Sequence, residues 1–271
     1  MDSIVFGRYL PMDSFMHRVD PRVKLLGLLL LLIAVFIPAG VSGYLMLTGI
    51  VAGCIFLSKL KISYILKATK PMLFMLVFLL VVNVLVVKTG DVLITIANFS
   101  IYSDAVFQTL YIVVRLLLMI SLTTILTATT KPLDLTLGIE ELLKPFKKIG
   151  VPAHEIAMMI SIALRFIPTL IEETQRIMKA QKSRGVDLEE GKITEKMRAM
   201  VSLIVPLFIS AFQRADDLAN AMEARGYVPD KRRTRYNQLK MKVSDYIVLL
   251  FCAVILTCSI LMALKIVPVV M

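Results

Sequence analysis

The chain has 271 residues, 58% of them hydrophobic, and 31 Lys and Arg against 20 Asp and Glu give a formal net charge of +11. Soluble domains hold about 45–50% apolar residues, so this composition and a mean hydropathy of +0.80 exclude an ordinary soluble domain. The basic excess fits nucleic acid, lipid headgroups or cytoplasmic loops, and the placement of the charges separates these readings.

A spanning helix needs about 20 mostly apolar residues. The first candidate is Leu25–Ala39, short but continuous, and Val41–Ser58 follows after almost no loop as the second arm of a tight hairpin. Asp20-Pro21 starts the first helix, because Asp caps helices and Pro suits their first position. Met72–Val87, Ala105–Ala128 and Tyr246–Val267 complete five expected crossings. Arg8, Arg18, Arg22 and Lys24 precede the first span, and Lys59, Lys61, Lys67 and Lys70 follow the second. By the positive-inside rule these segments face the cytoplasm, as does the N-terminus, and five crossings leave the C-terminus outside. The first apolar run begins only at Leu25 and a second follows at once, so no cleaved signal peptide is expected.

Residues Lys131–Val243 form a long block with 20 of the 31 Lys and Arg and 14 of the 20 acids. Mixed charge of this kind predicts a structured cytoplasmic helical domain, with no nucleic-acid partner. The expected division is 1–130 for the N-terminal segment and four spans, 131–243 for the block, and 244–271 for the last span. The basic run Lys231–Arg235 reads as a topology signal touching headgroups. Within the block, Leu133–Lys148 predicts a short amphipathic helix interrupted by Pro145. Two longer helices are expected at about Pro152–Arg184 and Lys192–Arg225. Their apolar runs, Ile156–Ile171 and Met200–Phe212, are short for spans and suit the membrane surface or the underside of the bundle, with a deeper re-entrant path as the alternative. The fold class is all-α: a polytopic membrane protein with about five transmembrane helices and a domain of amphipathic helices.

The two long helices end alike, in AQKSRG at Ala180–Gly185 and AMEARG at Ala221–Gly226. Pro168 also stands seven residues before Gln175-Arg176, as Pro206 does before Gln213-Arg214. Gly past a helix end adopts the left-handed conformation without strain, and Arg in the last turn suits the helix dipole. Capping alone explains one such ending. At ordinary residue usage two in one chain arise by chance only about a few times in a thousand. Ala four residues before Arg lies one turn back on the same face, so a partner can approach closely there. The Arg fork then projects beyond the helix, able to donate paired hydrogen bonds that Lys cannot imitate. Two plugs imply two sockets.

With these endings the chain resembles the transmembrane T component of energy-coupling factor transporters, bacterial and archaeal importers of vitamins and transition-metal ions. Arg184 and Arg225 fall in the arginine positions of that family's paired signature. The resemblance extends through Tyr9–Leu26, Thr127–Pro145 and Met158–Glu173. It implies a cell-membrane protein whose long helices cross beneath the bilayer as coupling helices. Their tips, Ala180, Arg184, Gly185 and Ala221, Arg225, Gly226, would dock on two ATP-binding-cassette ATPases, one each. The apolar faces would carry a separate membrane-embedded substrate-binding component. Met158, Met159 and Met200 suit an adaptable face for it, although a helical core explains them equally well.

Arg115 stands near the middle of the fourth span, where a charge is costly and pairs within the bundle. Helix carbonyls or Asn83 are its expected partners, and contact with the substrate-binding component is the alternative. Cys54, Cys252 and Cys258 lack ligand spacing and His17 and His154 lie far apart, so neither a metal site nor a cofactor is expected.

Two other classes fit less well. Gly185–Ile193 has five residues between its glycines and Ile193 in place of Ser or Thr, so it is no phosphate loop; energy must come from a partner. A prenyl-transferring membrane enzyme would need a second acidic cluster facing Asp216-Asp217, and none lies in a span. An ordinary ABC permease would build the substrate path itself and use one coupling element per subunit, whereas here one chain carries two.

Overall fold

The computed structural model describes residues 9–38, 40–87, 89, 92–96, 99–150, 152–186, 193–228 and 239–264. It divides into two compact units, Met1–Ala153 with Leu239–Met271, and His154–Gln238.

In the first unit a single turn, α1 (Phe15–Arg18), precedes α2 (Pro21–Phe36) and α3 (Gly40–Ser58). An elbow helix α4 (Ile62–Thr69) runs through a 3-10 turn at Lys70–Met72 into α5 (Leu73–Val86). A hairpin of β1 (Val92–Ile96) and β2 (Phe99–Tyr102) leads to α6 (Ser103–Thr129). Then come α7 (Pro132–Leu143) and, closing the unit, α10 (Val243–Ala263). The hairpin falls in the segment read from sequence as a plain loop. Its Val, Ile, Phe and Tyr residues have strand propensity but are too few to stand out beside the long apolar helices.

The core of this unit joins Leu31, Ala34 and Val35 of α2 with Tyr44 and Leu47 of α3, Leu118 and Leu122 of α6, and Cys252 and Ile255 of α10. Lipid tails are as apolar as Leu, so close packing and interhelical hydrogen bonds, more than the hydrophobic effect, hold such helices together. The start of α2 supplies several of these bonds. Asp20 caps it by accepting from the Arg22 amide at 2.9 Å, with Pro21 in the first turn. The Asp20 amide in turn donates at 3.1 Å to Asp245, a carboxylate only 1% exposed in the first turn of α10. Asp245 also accepts from the Lys242 amide at 2.7 Å. Lys24 donates to the Thr129 carbonyl and the Thr130 hydroxyl, both at 3.0 Å, which ties α2 to the end of α6.

Helix α7 packs on α2 in this first unit, although the sequence grouped it with the helical block. Gly138 explains the contact. A Cβ there would stand 3.2 Å from Leu25 Cδ1 and 3.3 Å from Pro21 Cβ, so a larger residue would make its neighbours give by a few tenths of an ångström. Past Leu143 the chain tightens into 3-10 turns at Lys144–Ile149, where Pro145 interrupts the α-helical ladder.

The second unit holds most of α8 (Ala153–Ser183) and all of α9 (Ile193–Ala224). Both run unbroken through an internal proline, Pro168 and Pro206. Among the described residues, six helical stretches are long and apolar enough to cross a membrane: Gly40–Ser58, Ile62–Val86, Ser103–Thr129, Ala153–Ser183, Ile193–Ala224 and Val243–Ala263. This set includes α8 and α9 and leaves out α2, whose 16 residues fall short on length alone. The chain is an all-α polytopic membrane protein.

Candidate functional site: the paired arginine ends

Helices α8 and α9 terminate by the same hydrogen-bond pattern. At the end of α8 the Gly185 amide donates to the Lys182 carbonyl and the Val186 amide to the Gln181 carbonyl, both at 3.0 Å. At the end of α9 the Gly226 amide donates to Glu223 at 2.8 Å and the Tyr227 amide to Met222 at 2.9 Å. These are two Schellman motifs. Each needs a left-handed residue just past the helix, and Gly185 and Gly226 supply it with φ of +83° and +73°. No atom lies within 4 Å of where a Cβ would stand at either position, so backbone conformation and not crowding demands glycine.

The motif fixes where the arginines go. Arg184 and Arg225 occupy the last position before each glycine, where the backbone turns away from the helix. Both are exposed, as are Ala180 and Ala221 one turn back and the glycines themselves. Among the described residues neither guanidinium has a hydrogen-bond or ion-pair partner. Two matching cationic forks thus stand free on exposed necks.

The helices carrying them are joined side by side. Arg214 of α9 donates to Glu173 of α8 at 2.9 Å, and Gln181 of α8 donates through Nε2 to the Ser202 carbonyl of α9 at 3.2 Å. Positions rise along α8 as they fall along α9, so the two run antiparallel and their arginine ends point to opposite ends of the pair. The second bond has a backbone cause. Pro206 has no amide hydrogen, so the Ser202 carbonyl lacks its donor four residues on, and the Gln181 side chain takes that place. A cleft of about 270 Å³ lies between the helices, lined by Ile162, Phe166 and Leu170 on one side and Ala211, Ala215 and Leu218 on the other. Glu173 and Arg214 lie on the faces that lead back from Arg184 and Arg225 at helical spacing. Gln181 and Ser202 carried no sequence signal beyond the position of Pro206.

Of the methionines, Met159 and Met200 are exposed, at 59% and 56%, and Met158 is half-buried. Met200 belongs to an exposed apolar stripe on α9 with Met197, Val201, Ile204, Phe208 and Phe212. Arg115 belongs to the first unit. Its Nε and Nη2 both donate to the Tyr44 hydroxyl, at 3.0 and 2.8 Å, and its guanidinium stands 6.0 Å from the Phe36 ring centroid. Asn83, the expected partner, instead donates to Thr109 at 3.1 Å. Sequence could not choose between these acceptors, since Tyr44 lies 71 residues away. The basic run Lys231–Arg235 and residues 187–192 of the glycine-bounded segment lie outside the described residues. Among the described residues no cluster of three His, Cys, Asp or Glu could hold a metal ion.

A polytopic helical membrane protein whose two longest polar-tipped helices end in duplicate free arginines is built as the membrane component of a multi-part transporter. A family model described as cobalt transport protein, CbiQ, matches residues 12–236. The chain is 44% identical over 239 residues to the energy-coupling factor transporter transmembrane protein EcfT of Bacillus subtilis (strain 168), covering 88% of this chain and 90% of that protein. It is 45% identical over 252 residues to the EcfT of Macrococcus caseolyticus, covering 92% and 94%. The protein of that name from Limosilactobacillus fermentum is 44% identical over 258 residues, covering 95% and 96%. The chain belongs to the family of T components of energy-coupling factor transporters. It is the transmembrane energy-coupling component of such a transporter, working in a membrane complex with other components.

Proposed function

We propose that the chain relays ATP-driven movement from two ABC ATPase subunits to a membrane-embedded substrate-binding component, with Arg184 and Arg225 as the two points of entry. The observation that carries this reading is the pair of free, identically capped arginines at opposite ends of a hydrogen-bonded helix pair. Each fork enters a groove on one ATPase, Ala180 and Ala221 allow the groove wall to come close, and Gly185 and Gly226 set the angle of entry. When ATP draws the ATPases together, the ends follow and the linked helices shift as a unit.

On this reading the block at 131–243 is cytoplasmic and α8 and α9 are its coupling helices. Their apolar surface, with the exposed Met159 and Met200 and the half-buried Met158, carries the substrate-binding component, which brings the vitamin or metal ion. Arg115 serves the bundle, because its Nε and Nη2 are already engaged by the Tyr44 hydroxyl. The N-terminus faces the cytoplasm and the C-terminus the outside of a bacterial or archaeal cell membrane. The chain itself is non-catalytic: ATP hydrolysis belongs to the partners, and neither a cofactor nor a nucleic acid takes part.

The test is co-purification and transport with Arg184→Ala, Arg225→Ala and the double variant. Truncating an interfacial Arg of this kind costs about 2 kcal/mol or more, roughly thirtyfold in affinity. Each single change should weaken ATPase association and the double change should abolish transport, with Arg→Lys failing to rescue. Normal recovery of both ATPases with the double variant would sink the reading.

A further inference from the structure

Between α3 and α5 the chain makes an elbow that plays no part in the arginine relay. Lys59, with φ of +56°, ends α3 in the left-handed conformation and turns the chain into α4. Lys59, Lys61, Lys67 and Lys70 are all exposed, and among the described residues none has a hydrogen-bond or ion-pair partner. No Asp or Glu occurs from Pro21 to Gly90, so the segment carries no acid of its own to balance them. Asp13, whose charge reaches Lys59, is already engaged by Arg18 at 2.6 Å. The elbow is a patch of uncompensated positive charge.

The same short helix is amphipathic. Ile65 and Thr69 are buried and α4 packs on α6, while Ile62 and Leu66 remain 68% and 63% exposed. At about 100° per residue, Ile62 and Leu66 lie about 40° apart and beside the buried Thr69. Lys67 points about 100° beyond Leu66. The helix therefore presents three strips in order: one against the protein, one apolar and open, one cationic.

The lengths of the flanking helices set Lys59, Lys61 and Lys70 near one level. The hydrocarbon core is about 30 Å thick and a helix rises about 1.5 Å per residue. The 14 residues of α5 rise about 21 Å and the 3-10 turn at Lys70–Met72 adds about 6 Å, which sets Lys70 near the edge of that thickness. The 19 residues of α3 likewise rise about 28 Å, which sets Lys59 and Lys61 just past its end. Lysine stems are long enough for the ammoniums to reach the headgroup layer from these depths.

We infer that this elbow is a binding site for anionic phospholipid headgroups of the adjoining leaflet, with Lys59, Lys61, Lys67 and Lys70 holding the phosphates and Ile62 and Leu66 set among the acyl chains. The occupant follows from the page: an anionic lipid supplies negative charge beside apolar surface, the two features of α4 that remain unmatched. The site makes the transmembrane unit sensitive to the lipid around it, independently of which partners occupy α8 and α9.

The experiment reconstitutes the full chain in vesicles with spin-labelled phosphatidylglycerol or phosphatidylcholine and measures the motionally restricted fraction of each. Attraction near a membrane surface is worth roughly a factor of five per basic residue. The wild type should prefer phosphatidylglycerol, and the preference should fall at least about fivefold with Lys67→Gln/Lys70→Gln and nearly vanish when all four lysines become Gln. It should also fall steeply with added salt and survive replacement of all four by Arg. Lys179→Gln/Lys182→Gln/Lys196→Gln, an equal class of change on α8 and α9, should leave it intact. An unchanged preference in the double variant, or an equal loss in the α8 and α9 variant, overturns the site. So does loss of a co-purifying subunit with lipid preference retained, which would make the elbow a protein interface. Should the fourfold Gln variant fail to fold, the double variant and the wild-type salt titration decide alone.

Discussion

The Arg214 guanidinium meets the Glu173 carboxylate at 2.9 Å, and each partner stands eleven residues before the arginine that ends its own helix. Eleven residues are about 16 Å of helix. The ion pair therefore marks the midpoint between the two free arginines, and the helix pair has arms of equal length.

The two side chains keep 28% and 27% of their surface exposed, and a pair open to solvent contributes about 1 kcal/mol, so Glu173→Gln should leave the protein folded. Its effect belongs to the relay. With the link between α8 and α9 weakened, the assembled complex should keep hydrolysing ATP while substrate uptake falls. Exchanging the charges, with Arg at 173 and Glu at 214, should restore uptake in part. Measuring both rates in proteoliposomes checks this, and equal loss of hydrolysis and uptake would contradict it.

Gly185→Ala and Gly226→Ala test the caps rather than the arginines. A Cβ at either site touches nothing, so the cost is the left-handed backbone alone, about 1 kcal/mol. That suffices to redirect a helix end. ATPase affinity should drop with Arg184 and Arg225 still present, and Asn, which tolerates this conformation better, should recover much of it.

Tyr44→Phe removes the hydroxyl that Nε and Nη2 of Arg115 share. The guanidinium would be left half-buried without that acceptor, at a cost of about 1–3 kcal/mol. Thermal unfolding in detergent should shift down by several degrees, and Arg115→Met should relieve the shift in the Tyr44→Phe background. A stable Tyr44→Phe protein that has lost only transport would instead give Arg115 a role in partner contact.

Asp245→Asn should be among the most damaging single-atom changes in the first unit. Both carboxylate oxygens accept from backbone amides, those of Asp20 and Lys242. An asparagine offers one oxygen and turns its own donor toward the other amide, so a buried bond is lost and two donors meet. Folded yield should fall, and hydrogen exchange at the starts of α2 and α10 should speed up together.

Most of the helical layout was legible in the sequence because its signals are local. Long apolar runs announced α2, α3, α5, α6 and α10. Proline at one end and Arg-Gly at the other bracketed α8 within a residue or so of its observed limits, and Arg-Gly did the same for the end of α9. The pairing partners were not legible, since they depend on which faces meet. Arg115 finds Tyr44 across 71 positions, and α7 joins α2 because Gly138 fits against Pro21 and Leu25. At the arginine site, residue types and the shared cap were readable from the repeat. The antiparallel match of α8 with α9 was not, because Gln181 seeks a main-chain oxygen that has no residue identity of its own.

That last contact has a consequence for how the helices tolerate change. The acceptor at position 202 is a carbonyl of the peptide chain, so any side chain there leaves the latch intact. Control passes to Pro206, whose ring withholds the competing hydrogen. Put an alanine in its place and the oxygen gains a rival donor from its own spiral: α9 gains a rung, the Gln181 latch loosens, and the Arg214–Glu173 pair is left as the firmer tie.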